Sequence, residues 1–484
     1  MPQRWVLFTL VILAPFRSAA AQPGLRSAEE VAHAMKRAQP GDTLLLAPGI
    51  WKDQTVVIRG GGTEEKPIVV RSAVPGEVVL TGSSRLRISG EYVIVDGLCF
   101  KDGAIEKGSV VEFRTSSERA ARFCRLTNTV ITGYNPANDT LDYKWVSLYG
   151  ERNRVDHCTF VGKKHQGCLL VVWLDEIPDY HRIDSNAFCL RPPHFQNGAE
   201  MIRVGTSDWS MRESFTTVEQ NYFYRCDGEH EVISNKSCRN LYRGNTFVEC
   251  QGALVLRHGN DNLVDGNFFM GNGRERTGGV RVIGERQRVI NNYFQDLRGS
   301  QTHAPLSVMM GVPNSPLNAY FQVADAIIAF NTFVNCRTTF EVGVVNTERD
   351  DMTLPPVRSI VANNLVAQPG KSVVLAHTEG AAIAYEGNIV DDAPGSRPLP
   401  DGFVLRTVSM RRSPDSLWRP DTPPAASGEY AWVLTDMDGQ ARPEAKHAGA
   451  DEPLPGPALR RPMTAGDTGA AWFRPTLQQM IGAR

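Results

Sequence analysis

The sequence lacks strong charge of either sign. In 484 residues, 52 Lys and Arg stand against 53 Asp and Glu, for a formal net charge of −1. Such a chain has no bulk field to draw nucleic acid or an acidic membrane, so any grip on a polyanion must come from local basic clusters. No Cys-x-x-Cys pair occurs, and the nine cysteines are scattered and odd in number. That pattern argues against a disulfide scaffold and a zinc site. Most of the cysteines are expected to be buried as small apolar residues, with one or two disulfides left open. After the N-terminus no apolar run is long enough to span a bilayer, which excludes helical membrane insertion. Long stretches of helical periodicity are also missing before the tail.

What is present begins with an export-type leader over residues 1–21. Arg4 supplies the positive end, Trp5 to Phe16 the apolar run, and Ser18 to Ala21 the small residues for cleavage near Gln22. An exported protein, periplasmic or secreted, is expected. A capping helix follows over 28–38, with Ser27 as N-cap, Glu30 at the reciprocal position, and Val31, Ala34, Met35 and Ala38 on one face. From Thr43 onward the chain reads as short β-rich runs punctuated by Gly, Asn and Asp.

A repeat then sets the fold class. An Asn-x-aromatic or Asn-x-aliphatic triplet recurs at Asn186, Asn221, Asn245, Asn267, Asn292, Asn331, Asn364 and Asn388, with weaker copies ending at Phe100, Val130 and Phe160. From Asn221 the intervals are 24, 22, 25, 39, 33 and 24 residues. The short intervals fit one coil of a solenoid, and the long ones a coil carrying an inserted loop. Asn is expected at the bend because it tolerates the left-handed region, and the aromatic is expected to turn inward and stack on its copy. The expected fold is all-β, a parallel β-helix over residues 22–392, with residues 393–484 as a capping tail packed on the solenoid.

Within the repeat, residues 227–257 stand out. Glu229 and Glu231 lie two residues apart, so in extended chain they share a face. Lys236 follows after five residues and Arg257 after 21 more, close to one coil. On a β-helix, residues one coil apart lie about 4.8 Å apart along the axis, so both cations would face one ligand. Lys and Arg together suit β-elimination from a uronic acid: one group takes the C5 proton, another protonates the departing oxygen, and the carboxylate next to C5 is neutralised. Glu229 and Glu231, with an Asn carbonyl, are hard oxygen donors suited to Ca²⁺ in that last role. An amine base works near neutral pH when neighbouring positive charge favours its deprotonated form.

The runs NYFYRCDGEHEVISNKS, NTFVECQGALVLRHGN and GNFFMGNGRERTGGVRVIGERQRVINNYF resemble polysaccharide lyase family 6, which contains alginate lyases and chondroitinase B. The resemblance extends through most of residues 25–475. It implies a right-handed parallel β-helix acting on an anionic polysaccharide. It also implies Lys236 as base in N-K-S, Arg257 as acid in L-R-H-G, and Ca²⁺ bound by Glu229 and Glu231 in G-E-x-E. Asn197 is implied as the third metal ligand, with Glu200 beside it. This chain has Ala199 where the family usually has a second Gly. Alginate is the expected substrate. A dermatan or chondroitin sulfate lyase, or a carbohydrate-binding β-helix without catalysis, are the alternatives. His258 and Arg281 are candidate substrate-binding residues, while Lys163, Lys164 and His165 read as surface charge.

Overall fold

The structure, a computed structural model, describes residues 24–194, 197–391, 399–454 and 457–483. The leader at 1–21 and the expected tail boundary at 392/393 lie outside the described residues. Strands of three to seven residues wind through three long sheets of 13, 14 and 14 strands. Each coil contributes one strand to the first sheet, one to the second and one to the third. Almost every neighbouring pair in these sheets is parallel, and the stack forms a parallel β-helix.

The repeat builds the corner between the first and second sheets. The eight triplet asparagines are all fully buried. Along the series each Nδ2 donates to the Oδ1 of the Asn one coil on, at 2.9–3.0 Å. That same oxygen also accepts the backbone N–H of the preceding Asn. The left-handed residue is not the ladder Asn but the one before it: Ser185, Gln220, Gly244, Gly266, Asn291, Phe330, Asn363 and Gly387 all have positive φ. The ladder asparagines are selected for an amide that donates and accepts along the axis, which satisfies polar groups the corner would otherwise bury unpaired.

Two residues on, the aromatics stack as expected. Phe160, Phe188, Phe223, Phe247, Phe269, Phe294 and Phe333 form a continuous column with centroids 4.5–5.1 Å apart. In the earlier coils Ile131, not Val130, is in register with Phe100 and Phe160.

The N-terminal helix is Ala28–Met35, three residues shorter than expected. Ser27 caps it by accepting from Glu30 N, and Glu30 in turn accepts from Arg26 N. Asp42 accepts from Gln39 N just before Pro40, which turns the chain out of the helix. All nine cysteines are free and buried.

The C-terminal segment runs back along the outside of the second sheet. Its backbone N–H groups at Ala450, Met463 and Ala470 donate to the outward hydroxyls of Thr332, Thr246 and Thr159, each on an earlier coil than the last. The terminal helix Arg474–Gly482 places Leu477 against Val161, Leu190 and Tyr222. The second sheet is thereby covered, while the third keeps an open outer face. Among the described residues no helix is long and apolar enough to cross a membrane.

Candidate functional site

The expected residues gather on the outer face of the third sheet, on the strands Glu231–Lys236 and Ala253–His258. These strands pair in parallel, with Asn235 opposite Leu256 and Lys236 opposite His258. Arg257 is therefore the extra residue of a β-bulge. Leu254 and Leu256 point into the core, so alternation already puts Arg257 on the outer face with Lys236, and the bulge moves it out of direct opposition to that lysine. Lys236 is half-buried, and among the described residues its ammonium has no hydrogen bond or ion pair.

Arg257 is held on three sides. Its Nη1 donates to Ala319 O at 2.7 Å and its Nη2 to Asn318 O at 3.4 Å. The guanidinium lies 4.1 Å from the centre of the Tyr320 ring, and Nε is 3.8 Å from Glu231 Oε1. Tyr320 itself is packed among Met309, Met310, Val312, Val344 and Met352. The loop supplying these groups belongs to the 39-residue interval of the repeat. Nothing in the local sequence pointed to it, because its contacts with Arg257 span 61 and 62 residues.

Arg281 and His258 are more enclosed than substrate-binding side chains usually are, with residue exposures of 4% and 1%. Arg281 Nη1 lies 3.7 Å from Glu231 Oε1, and its Nε donates to Thr302 O. Burial opposes ionisation of Glu231, but Arg281, then Lys236 and Arg257, outweigh it and hold the carboxyl below its ordinary range. His258 is pushed down to about 2 by burial, with Arg257 and Lys236 adding to the effect, so its ring is neutral. Its Nε2 lies 3.4 Å from Ser207 Oγ.

Glu229 accepts from the backbone N–H groups of Gly198 and Ala199 at 3.2 and 3.0 Å. Burial, then the charges of Glu200 and Glu231, push its carboxyl up to about 9. Glu200 is buried, and among the described residues its Oε2 has no hydrogen-bond partner. Asn197 is exposed at the rim. Crowded carboxylates with an unpartnered oxygen fit a hard, oxygen-seeking cation. No three His, Cys, Asp or Glu side chains among the described residues converge as a ready-made metal centre, so the fit rests on donor chemistry.

The basic cluster on the earlier coil differs from the expectation. Lys164 is exposed, but Lys163 and His165 are fully buried. Lys163 Nζ donates to the carbonyls of His165 and Gln166, both at 2.9 Å. Buried Arg191 donates to His165 O, Gly167 O and Glu200 O. Gln166 then donates through its side chain to Asn197 O. Arg191 and Gln166 thus hold the turn carrying Asn197 and Glu200, and Lys163 holds the segment 165–166 beneath it, a role visible only once the coils are stacked.

A parallel β-helix with cations and carboxylates gathered on one outer face defines the class of solenoid. The family is specified by comparison. A family model described as Chondroitinase B matches residues 25–426. The alginate lyase AlyGC, described as of the PL6 family, is 36% identical over 91% of this chain, with a TM-score of 0.79; this chain spans 59% of AlyGC's own length. A mannuronic acid specific polysaccharide family 6 lyase from human gut microbiota is 33% identical, covering 80% of this chain and 91% of that one, with a TM-score of 0.72. A PL6 polysaccharide lyase from Pseudopedobacter saltans shares the fold at 24% identity and a TM-score of 0.71. No curated protein sequence gave a match. The chain belongs to polysaccharide lyase family 6, the chondroitinase B family.

Proposed function

We propose that this protein is an exported polysaccharide lyase that cleaves a uronate-containing polysaccharide, with alginate as substrate. The observation that carries this reading is the pair Lys236 and Arg257. They stand on adjacent strands and face one way, the first without a hydrogen bond or ion pair among the described residues and the second braced by Ala319, Asn318 and Tyr320. Family membership and the names of the relatives at 33% and 36% identity support it.

In the proposed step Lys236, as the free amine, takes the C5 proton of the uronate. The C5–H electron pair forms the C4=C5 double bond, and the C4–O bond breaks. Arg257 delivers a proton to the departing oxygen. Tyr320 and the two carbonyls fix the guanidinium before substrate arrives, so little ordering is left for the reaction itself. Glu231 sets the spacing of Arg257 and Arg281, and neutral His258 offers a hydrogen-bonding group without added charge. Glu229, Glu231 and Asn197, with Glu200, would hold Ca²⁺. When bound, that ion neutralises the uronate carboxylate and makes the C5 proton more acidic.

The test is a panel of mannuronate-rich, guluronate-rich and mixed alginates with dermatan sulfate, with product masses read after digestion. Unsaturated uronosyl ends from an alginate support the reading. Products from dermatan sulfate alone would move the substrate to a sulfated uronate polymer. No product from any polyuronate, with folded protein and calcium present, would leave a carbohydrate-binding β-helix.

A further inference from the structure

The open face of the third sheet continues for several coils before Lys236, and its side chains are not those of a neutral solvated surface. Four of them form a column along the axis. Arg114 stacks on Tyr149 at 3.7 Å, Tyr149 lies parallel to Trp173 at 5.8 Å and 5°, and Arg203 lies 5.6 Å from the Trp173 ring. All four are half-buried. The Trp173 ring is fixed from below, where Nε1 donates to Ser147 Oγ at 3.0 Å.

The column joins the catalytic strands directly. Arg203 pairs in register with Ser234, two residues before Lys236. Arg114 follows the strand Gly108–Glu112, which is four pairings earlier. At a strand spacing of about 4.8 Å, that places the Arg114 end roughly 19 Å from the catalytic coil. Beyond it lies a cavity of 440 Å³ lined by Arg85, Arg87, Lys107 and Arg114 against a single carboxylate, Glu112. Glu112 bridges Arg87 and Arg114, so one negative charge serves two guanidinium groups.

Two of the column's polar groups lack partners. Arg203 makes no hydrogen bond or ion pair among the described residues, and its Nε is buried. The Tyr149 hydroxyl is likewise without a hydrogen-bond partner among them. An unpaired buried N–H of a charged group is costly, and a surface of purely structural purpose would satisfy it. Stacking on a ring occupies the face of a guanidinium and leaves its N–H edge free for a carboxylate.

We propose that this face is an extended track for an anionic polysaccharide, binding uronate carboxylates from the coil next to the catalytic strand, at Arg203, to about four coils away, at Arg114. Arg203, Arg114 and Arg87 supply the charge-assisted donors. Tyr149 and Trp173 hold the first two at fixed height, with ring edges and the Tyr149 hydroxyl toward the sugars. The rise between coils, about 4.8 Å, is close to the length of one sugar ring, so a chain lying along the axis passes about one sugar per coil. The proposal rests on the polyuronate reading above and adds a dependence on chain length to it.

The experiment compares the full chain with Arg114→Gln, Arg203→Gln and the double variant, first checked for unchanged thermal unfolding. kcat/KM is measured on long alginate and on alginate trisaccharide. The expected result is a long-to-short ratio lowered by about tenfold in the double variant, the loss expected for one charge-assisted hydrogen bond. An equal loss on both lengths, or no loss on either, overturns the track. A second measurement, affinity electrophoresis through gels containing alginate, separates the two readings. Wild-type protein retarded by alginate but cleaving no polyuronate, with the variants running free, would sink the lyase assignment and keep the track. Wild type and variants equally retarded would sink the track alone.

Discussion

The second and third sheets are built from the same coils but meet different fates. The second presents threonines at Thr159, Thr246 and Thr332, and the returning C-terminal segment covers them. The third carries Arg203, Lys236, Arg257 and Arg281; the loop of Asn318 to Tyr320 lies against Arg257, and among the described residues no C-terminal segment bonds to this face as it does to the second. The difference lies in how polar groups are satisfied. On the second sheet each outward hydroxyl named here accepts a backbone N–H. On the third, among the described residues, Lys236 and Arg203 make no hydrogen bond or ion pair and Glu200 keeps an orphan oxygen. Stability sits in the ladders and under the tail, and the unsatisfied polarity is concentrated where a ligand would bind.

That contrast can be broken most sharply at the pair itself. Lys236→Ala and Arg257→Ala are each expected to lower kcat on alginate by about 10² to 10⁴, the range for a positioned acid or base, with unfolding temperature unchanged. Initial rates and a thermal melt on each variant check this. The opposite signature is expected in the ladder. Asn245→Ala leaves Asn221 N–H, Asn221 Nδ2 and Val218 O without their partner. It should cost at least about 3 kcal/mol, at roughly 1–3 kcal/mol for each of the three orphaned groups, read by denaturant unfolding. Thr332→Val, under the tail, removes only the Ala450 bond and should cost about 1 kcal/mol in the same assay.

Tyr320→Ala tests the brace on Arg257. Losing a partly desolvated cation–π contact of about 1–2 kcal/mol should lower kcat roughly tenfold, with KM little changed. A further effect concerns pH. His258 is held down to about 2 by burial, against roughly 6.5 when unfolded, so only the unfolded chain takes up its proton between those values. Its contribution is constant above about pH 6.5 and is lost as pH falls, by about 1.4 kcal/mol per unit. His258→Gln should flatten that slope in unfolding measured between pH 7.5 and 5.5.

Much of this was legible in the residues because the repeat is periodic. The Phe column and the coil length follow from triplet spacing, and Lys236 and Arg257 were paired by that spacing alone. What stayed hidden depends on contacts between distant coils. The ladder Asn was credited with a left-handed bend that belongs to its predecessor, since the amide's partner is 22–39 residues away. Lys163 and His165 read as surface charge, but the carbonyls that receive Lys163 and the Tyr143 ring stacked on His165 enclose them. The Tyr320 loop and the bulge at Arg257 carry no local signature either.

The most direct test follows the ultraviolet absorbance of the new C4=C5 bond while wild type, Lys236→Ala and Arg257→Ala are each incubated with alginate and calcium. A steady rise with wild type and flat traces with both folded variants is the expected result. A flat wild-type trace, or a rise of similar rate in either variant, would contradict the claim that adjacent coils bring this amine and this guanidinium to one scissile bond.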